Sequence, residues 1–437
     1  TATQLSGRTQ HREKTNRTRL AGIISTMGLL DEHSIAEPAI QEDPTPYHHA
    51  LHEQPLYFDA QLGFYICSRY RLMREILRDT ATFSSMDSQR TDAIRPPPDE
   101  VLQLRKDMLQ QVHTLVTNDP PDHTRVRAMV NEPFRPRNID ALIEQIKDIV
   151  NASIDGFIDA GEFDAVADLA IPIPITVIAD MLGVHRSLAG KIKAWSDASV
   201  EPLGMMISDE RLIECTRLVK EFQEFMRDEL EARRAAPRDD LLTELVKARD
   251  ASGEPFSMAE MISLTSQFLV AGNETTTNGI AAGVQLLVDN PEQQQLLRDD
   301  PSRVRVFINE VLRLESPVQG LFRIVTKETT LAGVTLPKGA RVMLRFAAAN
   351  RDASKFQNPD QLDVLRHNAG SNVAFGAGIH HCIGANLARE EMVQTFAALL
   401  RRTKDLAFAP GKNDFSHHPS MILRGLNKLH VRFSKAD

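Results

Sequence analysis

Apolar residues recur at spacings of three and four through most of this chain, the repeat that lines one face of an α-helix. Helices are predicted in YRLMREILRD, NDPPDHTRVRAMV, NIDALIEQIKDIVNASIDGFIDAG, IPITVIADMLGV and RLIECTRLVKEFQEFMRDELEARR. The longest run begins at FSMAEMISLTSQFLVAGNETTTN. Ser257 and Glu260 form a capping box at its start, and Asn290-Pro291 stops it. That makes roughly 33 residues, or about 50 Å at ~1.5 Å per residue, enough to cross the whole protein. Two further helices are expected in QQQLLRDD and RVRVFINEVLRLES. Strict alternation is rarer. PLYFDAQLGFYICS reads as two short strands around a turn, and TTLAGVTLPKGARVML as a hairpin turning at Pro337-Lys338-Gly339. Between about residues 82 and 118 the periodicity dissolves around RPPPDE, which predicts a long loop of the kind that often carries function. The expected fold class is mainly α with small β-sheets.

Length adds the question of domains. A chain of 437 residues exceeds the usual single domain, yet no linker, low-complexity tract or internal period divides it. Residues 39–437 are therefore expected to form one large domain, and residues 1–38, basic and polar at their start, a loose tail. The net charge of -8 speaks against general nucleic-acid binding. No apolar run approaches the ~20 residues of a membrane span, and no signal-peptide core follows the basic start, so a cytoplasmic location is expected. The three cysteines, Cys67, Cys215 and Cys382, are too few and too scattered for a disulfide framework. Cys67 and Cys215 sit in apolar patterns and read as packing thiols.

Cys382 differs, because it lies in the Gly-rich stretch FGAGIHHCIGANLARE, just before a helical pattern. A zinc site with His380 and His381 fails on geometry: adjacent residues rarely converge on one ion, and no second ligand cluster exists. A helix N-terminus whose N–H groups point at the sulfur would hold a thiolate. In the centre of the longest helix, AGNETTT sets Glu274 and three threonines between apolar flanks, so this polar patch is expected to face an internal cavity. Thr275 is expected to bond back to the Ala271 carbonyl and open the helix there. Glu310 and Arg313 lie at i, i+3, and His123 and Arg127 at i, i+4; each pair shares a helical face and by itself means little.

Together these residues resemble the cytochromes P-450, haem-thiolate monooxygenases of the soluble bacterial type. Phe375, Gly378, His380, Cys382 and Gly384 fill the F-x-x-G-x-[H/R]-x-C-x-G signature. Glu310 and Arg313 match its ExxR pair, Arg366 the arginine of PDQLDVLR, and Ala271, Gly272, Glu274 and Thr275 its A-G-x-[D/E]-T motif. The resemblance implies a long central helix over a buried haem b (iron protoporphyrin IX), with Cys382 as the iron ligand. It implies that His123, Arg127, Arg323 and His380 bind the propionates, and that Ala271, Phe375, Gly376 and Gly384 lie against the haem. Glu310, Arg313 and Arg366 would form a structural network. Thr275 would hold a water or the reacting oxygen, and Glu274 would relay protons; Glu stands where Asp is commoner. Gln267, Val270, Ala271, Val318, Leu321, Met421 and Ile422 would line a pocket for an apolar terpenoid, fatty acyl, steroid or aromatic substrate. Electrons would come from NAD(P)H through a ferredoxin or flavodoxin and its reductase, with O2 as co-substrate. A peroxide-driven peroxygenase and a non-catalytic haem sensor or carrier are the alternatives.

Overall fold

The computed structural model describes residues 28–436 apart from 93, 94 and 111. The long apolar run forms a helix of 32 residues, Met258–Asp289, called here the central helix. Its capping box closes in both directions: Ser257 Oγ accepts from the Glu260 N–H, and the Glu260 carboxylate accepts from the Ser257 N–H. Asn290 ends the helix and Pro291 begins the next, Pro291–Asp299. Helices Pro172–Leu182, Ala189–Val200, Val304–Glu315 and Ala385–Arg402, the last called the proximal helix, pack around it. Close approach depends on Gly283, where a Cβ would lie 2.4 Å from the Phe396 ring on the proximal helix.

The predicted strands β1 (Leu56–Asp59) and β2 (Phe64–Cys67) pair antiparallel. With β3 (Phe83–Ser84), β5 (Leu321–Val325) and β8 (Arg341–Leu344) they form a sheet of order β1-β2-β8-β5-β3. A second sheet joins β4 (Glu162–Asp164), β10 (His430–Lys435) and β9 (Thr403–Phe408), and it has no counterpart in the sequence reading. The sequence places a hairpin turn at Pro337-Lys338-Gly339. The structure places it at Ala332-Gly333, both at positive φ, between β6 (Thr329–Leu331) and β7 (Val334–Leu336). Pro337 to Gly339 instead carries the chain out of that ribbon, with the Gly339 N–H donating to the Val325 carbonyl at 2.7 Å. The reason is burial: Val342, Met343 and Leu344 are consecutive core residues, and only a strand covered on both faces can bury such a run.

Three further expectations change. Residues 1–27 of the expected tail lie outside the described residues, but Leu29, Leu30 and Ile35 are buried with Tyr47, Phe64 and Met343. The packed body therefore begins earlier than residue 39. The loop between 82 and 118 holds β3 and a helix, Asp99–Lys106, with acidic residues in its first turn and basic ones in its last, as its dipole favours. Finally, Ala165–Leu182 is an 18-residue helical stretch of mean hydropathy 1.8, long and apolar enough by composition to cross a membrane. The sequence reading admits no such run. Most of it is buried inside the protein, against the central helix and its neighbours.

Candidate functional site

Cys382 stands at the end of a closed loop in front of the proximal helix. Its N–H donates to the Phe375 carbonyl at 3.0 Å, so the chain folds back on itself around the sulfur. Gly376 and Gly378 take φ values of 67° and 72°, and a Cβ at Gly378 would lie 2.7 Å from the Leu77 carbonyl oxygen. Burial pushes the Cys382 thiol up, while the Gly384 N–H and the positive charges of Arg127 and Arg389 oppose it. Those three groups favour a thiolate once a cation balances the cost of burial. The Arg389 guanidinium lies 4.5 Å from the centroid of the Phe375 ring. At Gly384 a Cβ would meet no protein atom within 4 Å, so the packing of the protein alone does not demand glycine there.

Beside this loop gather four donors from distant parts of the chain. His123 and Arg127 come from helix Asp122–Val130, Arg323 from β5 and His380 from the cysteine loop. The His123 and His380 rings lie 4.3 Å apart, and His380 Nε2 meets Ser85 Oγ at 3.0 Å. Burial lowers the proton affinity of Arg323 to about 10 and, helped by Arg323 and His123, that of His380 to about 3. Among the described residues both buried ring nitrogens of His123 lack a partner, and Arg323 donates to the adjacent Phe322 carbonyl alone. The nearby carboxylate of Asp119 is taken by Ser84 and Ser85. A buried guanidinium and a buried imidazole, with the half-buried His380 against them and no carboxylate of their own among the described residues, are costly, and two propionates would satisfy them. The donor set fits a haem, and the Cys382 sulfur lies next to it, close to Arg127.

The polar centre of the central helix is buried: Asn273, Glu274, Thr276, Thr277 and Asn278 are all core residues. Thr275 Oγ1 donates to the Ala271 carbonyl at 2.8 Å, as expected, yet the helix continues unbroken through this turn. Glu274 reaches helix Ala189–Val200. There its carboxylate accepts from Lys193 Nζ at 3.2 Å and from Asn273 Nδ2 at 3.1 Å, with Ser196 Oγ at 3.5 Å. Burial raises its proton affinity well above the ordinary carboxylate range; the Lys193 charge opposes this and Asp197 adds to it.

Glu310, Arg313 and Arg366 form one buried network. Arg313 holds the Glu310 carboxylate through two bonds, of 2.6 and 2.9 Å, and Arg366 Nε holds it at 3.0 Å. The excess positive charge is spread over backbone carbonyls of Asn350, Pro359 and Gln361 for Arg313, and of Gln357, Asn358 and Gln361 for Arg366. Asn350 in turn accepts from the Val373 N–H at 2.7 Å, two residues before Phe375. The network thus anchors the start of the cysteine loop.

Of the expected pocket residues, Ala271 is exposed and Val270 half-buried, whereas Gln267 is tied to the preceding loop through Thr114 Oγ1 and the Val116 N–H. Val318 and Leu321 are half-buried, and Met421 and Ile422 are buried in the core with Phe64 and Phe322. The two segments meet where the Gln319 N–H donates to the Ile422 carbonyl at 2.8 Å. Three arginines on or near helix Asp122–Val130 are engaged within the chain: Arg125 pairs with Glu260, and Arg135 and Arg137 both pair with Glu132.

Sequence reasoning missed two groups. Lys193 and Asp197 are separated from Glu274 by a long stretch of chain, and no local pattern connects them. Glu391, in the run ARE-E of the proximal helix, is fully buried beside Thr276 with one carboxylate oxygen unpartnered. Burial raises its proton affinity from 4.5 to about 8, so it is a neutral acid at pH 7. Its stabilising contribution is full below the unfolded value of 4.5 and is lost as the pH rises toward 8. Relative to Glu391→Gln, the protein should therefore lose at most about 1.4 kcal/mol of stability per pH unit across that window. Urea unfolding of both proteins at several pH values checks this; parallel profiles would contradict it.

Against known proteins, the cytochrome P450 family model matches residues 65–404. The vitamin D(3) 25-hydroxylase of Pseudonocardia autotrophica is 32% identical over 93% of this chain and 98% of its own. The steroid C26-monooxygenase of Mycobacterium tuberculosis is 32% identical over 91% and 95%. Among solved structures, cytochrome P450 CYP109Q5 from Chondromyces apiculatus superposes with a TM-score of 0.80 at 32% identity, covering 92% of this chain and 98% of that one. Signature residues, geometry and relatives agree, and the chain belongs to the cytochrome P450 family of haem-dependent monooxygenases.

Proposed function

We propose that this protein hydroxylates an apolar small molecule at haem b held by Cys382, with electrons from NAD(P)H delivered by a separate ferredoxin or flavodoxin and its reductase, in the cytoplasm. The observation that carries the reading is the convergence of the buried His123 and Arg323 with the half-buried Arg127 and His380 beside the Cys382 loop, a group that among the described residues pairs with no carboxylate. When bound, the haem supplies the chemistry of O2 reduction and oxygen insertion into a C–H bond.

The chain's own part is positioning and proton supply. The Gly384 N–H and the loop closed by Cys382 N–H and the Phe375 carbonyl hold the sulfur in place. Thr275 offers a hydroxyl at the exposed Ala271 turn, where it can orient a water. Glu274, its proton affinity raised by burial to about 7, can take up and release a proton near neutral pH, and it reaches Lys193 on a neighbouring helix. The relatives' names speak of vitamin D(3), a steroid and 6-deoxyerythronolide B, which favours the bulky alicyclic end of the apolar substrate range.

The test is turnover of a steroid panel with a surrogate ferredoxin, its reductase, NADPH and isotopically labelled O2. One labelled oxygen per product molecule is expected. Equal turnover with peroxide alone and none with the electron-transfer system would establish the peroxygenase instead, and no turnover under either condition would favour a haem carrier.

A further inference from the structure

Strand register separates a second cleft from the haem donors. β5 and β8 pair Arg323 with Val342 and Ile324 with Arg341, so the two arginines leave the sheet on opposite faces. On the face away from Arg323, a cleft of about 610 Å³ is lined by Met86, Asp87, Arg90, Asp92, Ile324 and Arg341. Its acids are already matched: Asp87 pairs with Arg90 at 3.1 Å and faces His113 at 3.4 Å, and Asp92 pairs with Arg105 at 2.9 Å. Arg341 has no such partner. Its guanidinium lies 5.0 Å from the Phe322 ring centroid, one nitrogen donates to the Ser88 carbonyl at 2.7 Å, and the buried Nε is unpartnered. Among the described residues no carboxylate pairs with it. The cleft therefore carries one spare guanidinium, with Met86 and Ile324 as apolar wall.

We infer that this cleft recognises the oxyanion head group, a carboxylate or phosphate monoester, of an otherwise apolar ligand, with Arg341 as its anchor. The chain that lines the cleft also reaches the central helix. Gln89 Nε2 joins it to the sheet at the Phe322 carbonyl, and further along the Val112 and Val116 N–H groups donate to Ser263 and Gln267 of the central helix. A head group held at Arg341 thus bears on the loop that walls the central helix, and selects among the apolar substrates proposed above, a reading on which this inference rests.

The probes are decanoate, decyl phosphate and decanol, compared by calorimetric titration of the haem-loaded protein. Both anions are expected to bind about tenfold or more tightly than decanol, the advantage of one charge-assisted contact. That advantage should shrink with added salt, disappear in Arg341→Gln and persist in part in Arg341→Lys. Equal binding of anion and alcohol to the wild-type protein, or a preference that survives Arg341→Gln, overturns the inference; the wild-type comparison decides even if a variant fails to fold. The reduced CO spectrum of the same sample separates the two readings. A normal thiolate band without anion preference removes this inference alone, and a missing band removes the monooxygenase reading.

Discussion

Replacing Glu310 by alanine should destabilise the folded protein by about 3–5 kcal/mol, the cost of leaving buried charges unpaired. Both guanidiniums that share its carboxylate, Arg313 and Arg366, are buried, and among the described residues no other carboxylate pairs with them. Against a usual total of about 5–15 kcal/mol, this loss removes a large part of the stability. Haem retention should fail first. Arg313 also donates to the Asn350 carbonyl, and the Asn350 side chain holds Val373 at the root of the cysteine loop. Chemical unfolding and haem content of the purified variant measure both effects. A variant that loads haem and unfolds at the wild-type denaturant concentration would show that the network is dispensable.

The second large effect concerns proton supply. Glu274→Gln keeps the size of the side chain and its contacts with Ser196 and Asn273, but removes the group that titrates. Product formation driven by NAD(P)H should fall by about 100-fold or more, the usual weight of a positioned acid or base. If the protonated acid is the donor, wild-type turnover should decline as the pH rises through its elevated proton affinity, and the variant should not follow. Thr275→Ala should behave differently, continuing to consume NAD(P)H while releasing peroxide in place of product. Unchanged coupling in Thr275→Ala, or an unchanged rate in Glu274→Gln, would remove the corresponding residue from the relay.

Much of this was legible in the sequence wherever the information is local. Helical periodicity located the central helix and its caps to within a residue or two, because Ser257, Glu260 and Pro291 act on their immediate neighbours. The glycines of the cysteine loop announced themselves because the left-handed backbone at Gly376 and Gly378 strains any residue with a Cβ. What escaped depends on partners far along the chain. The strand β8 reads like half of a hairpin, and only its burial between β2 and β5 shows where it belongs. Lys193 reads as an ordinary helix-surface lysine until folding places it against Glu274. Glu391 looks like one of many exposed helix glutamates, since nothing in its neighbours' sequence announces that its face of the proximal helix meets the central helix. The register that turns Arg341 away from Arg323 appears only once the strands are paired.

The central claim is that Cys382 ligates a haem as its thiolate. The most direct measurement is the absorption spectrum of freshly purified, haem-loaded protein after reduction and exposure to CO. The account predicts the strongly red-shifted Soret band of a thiolate-ligated haem in the wild-type protein and its loss in Cys382→His. A wild-type band at the position of a histidine-ligated haem, or a red-shifted band that survives Cys382→His, would contradict it.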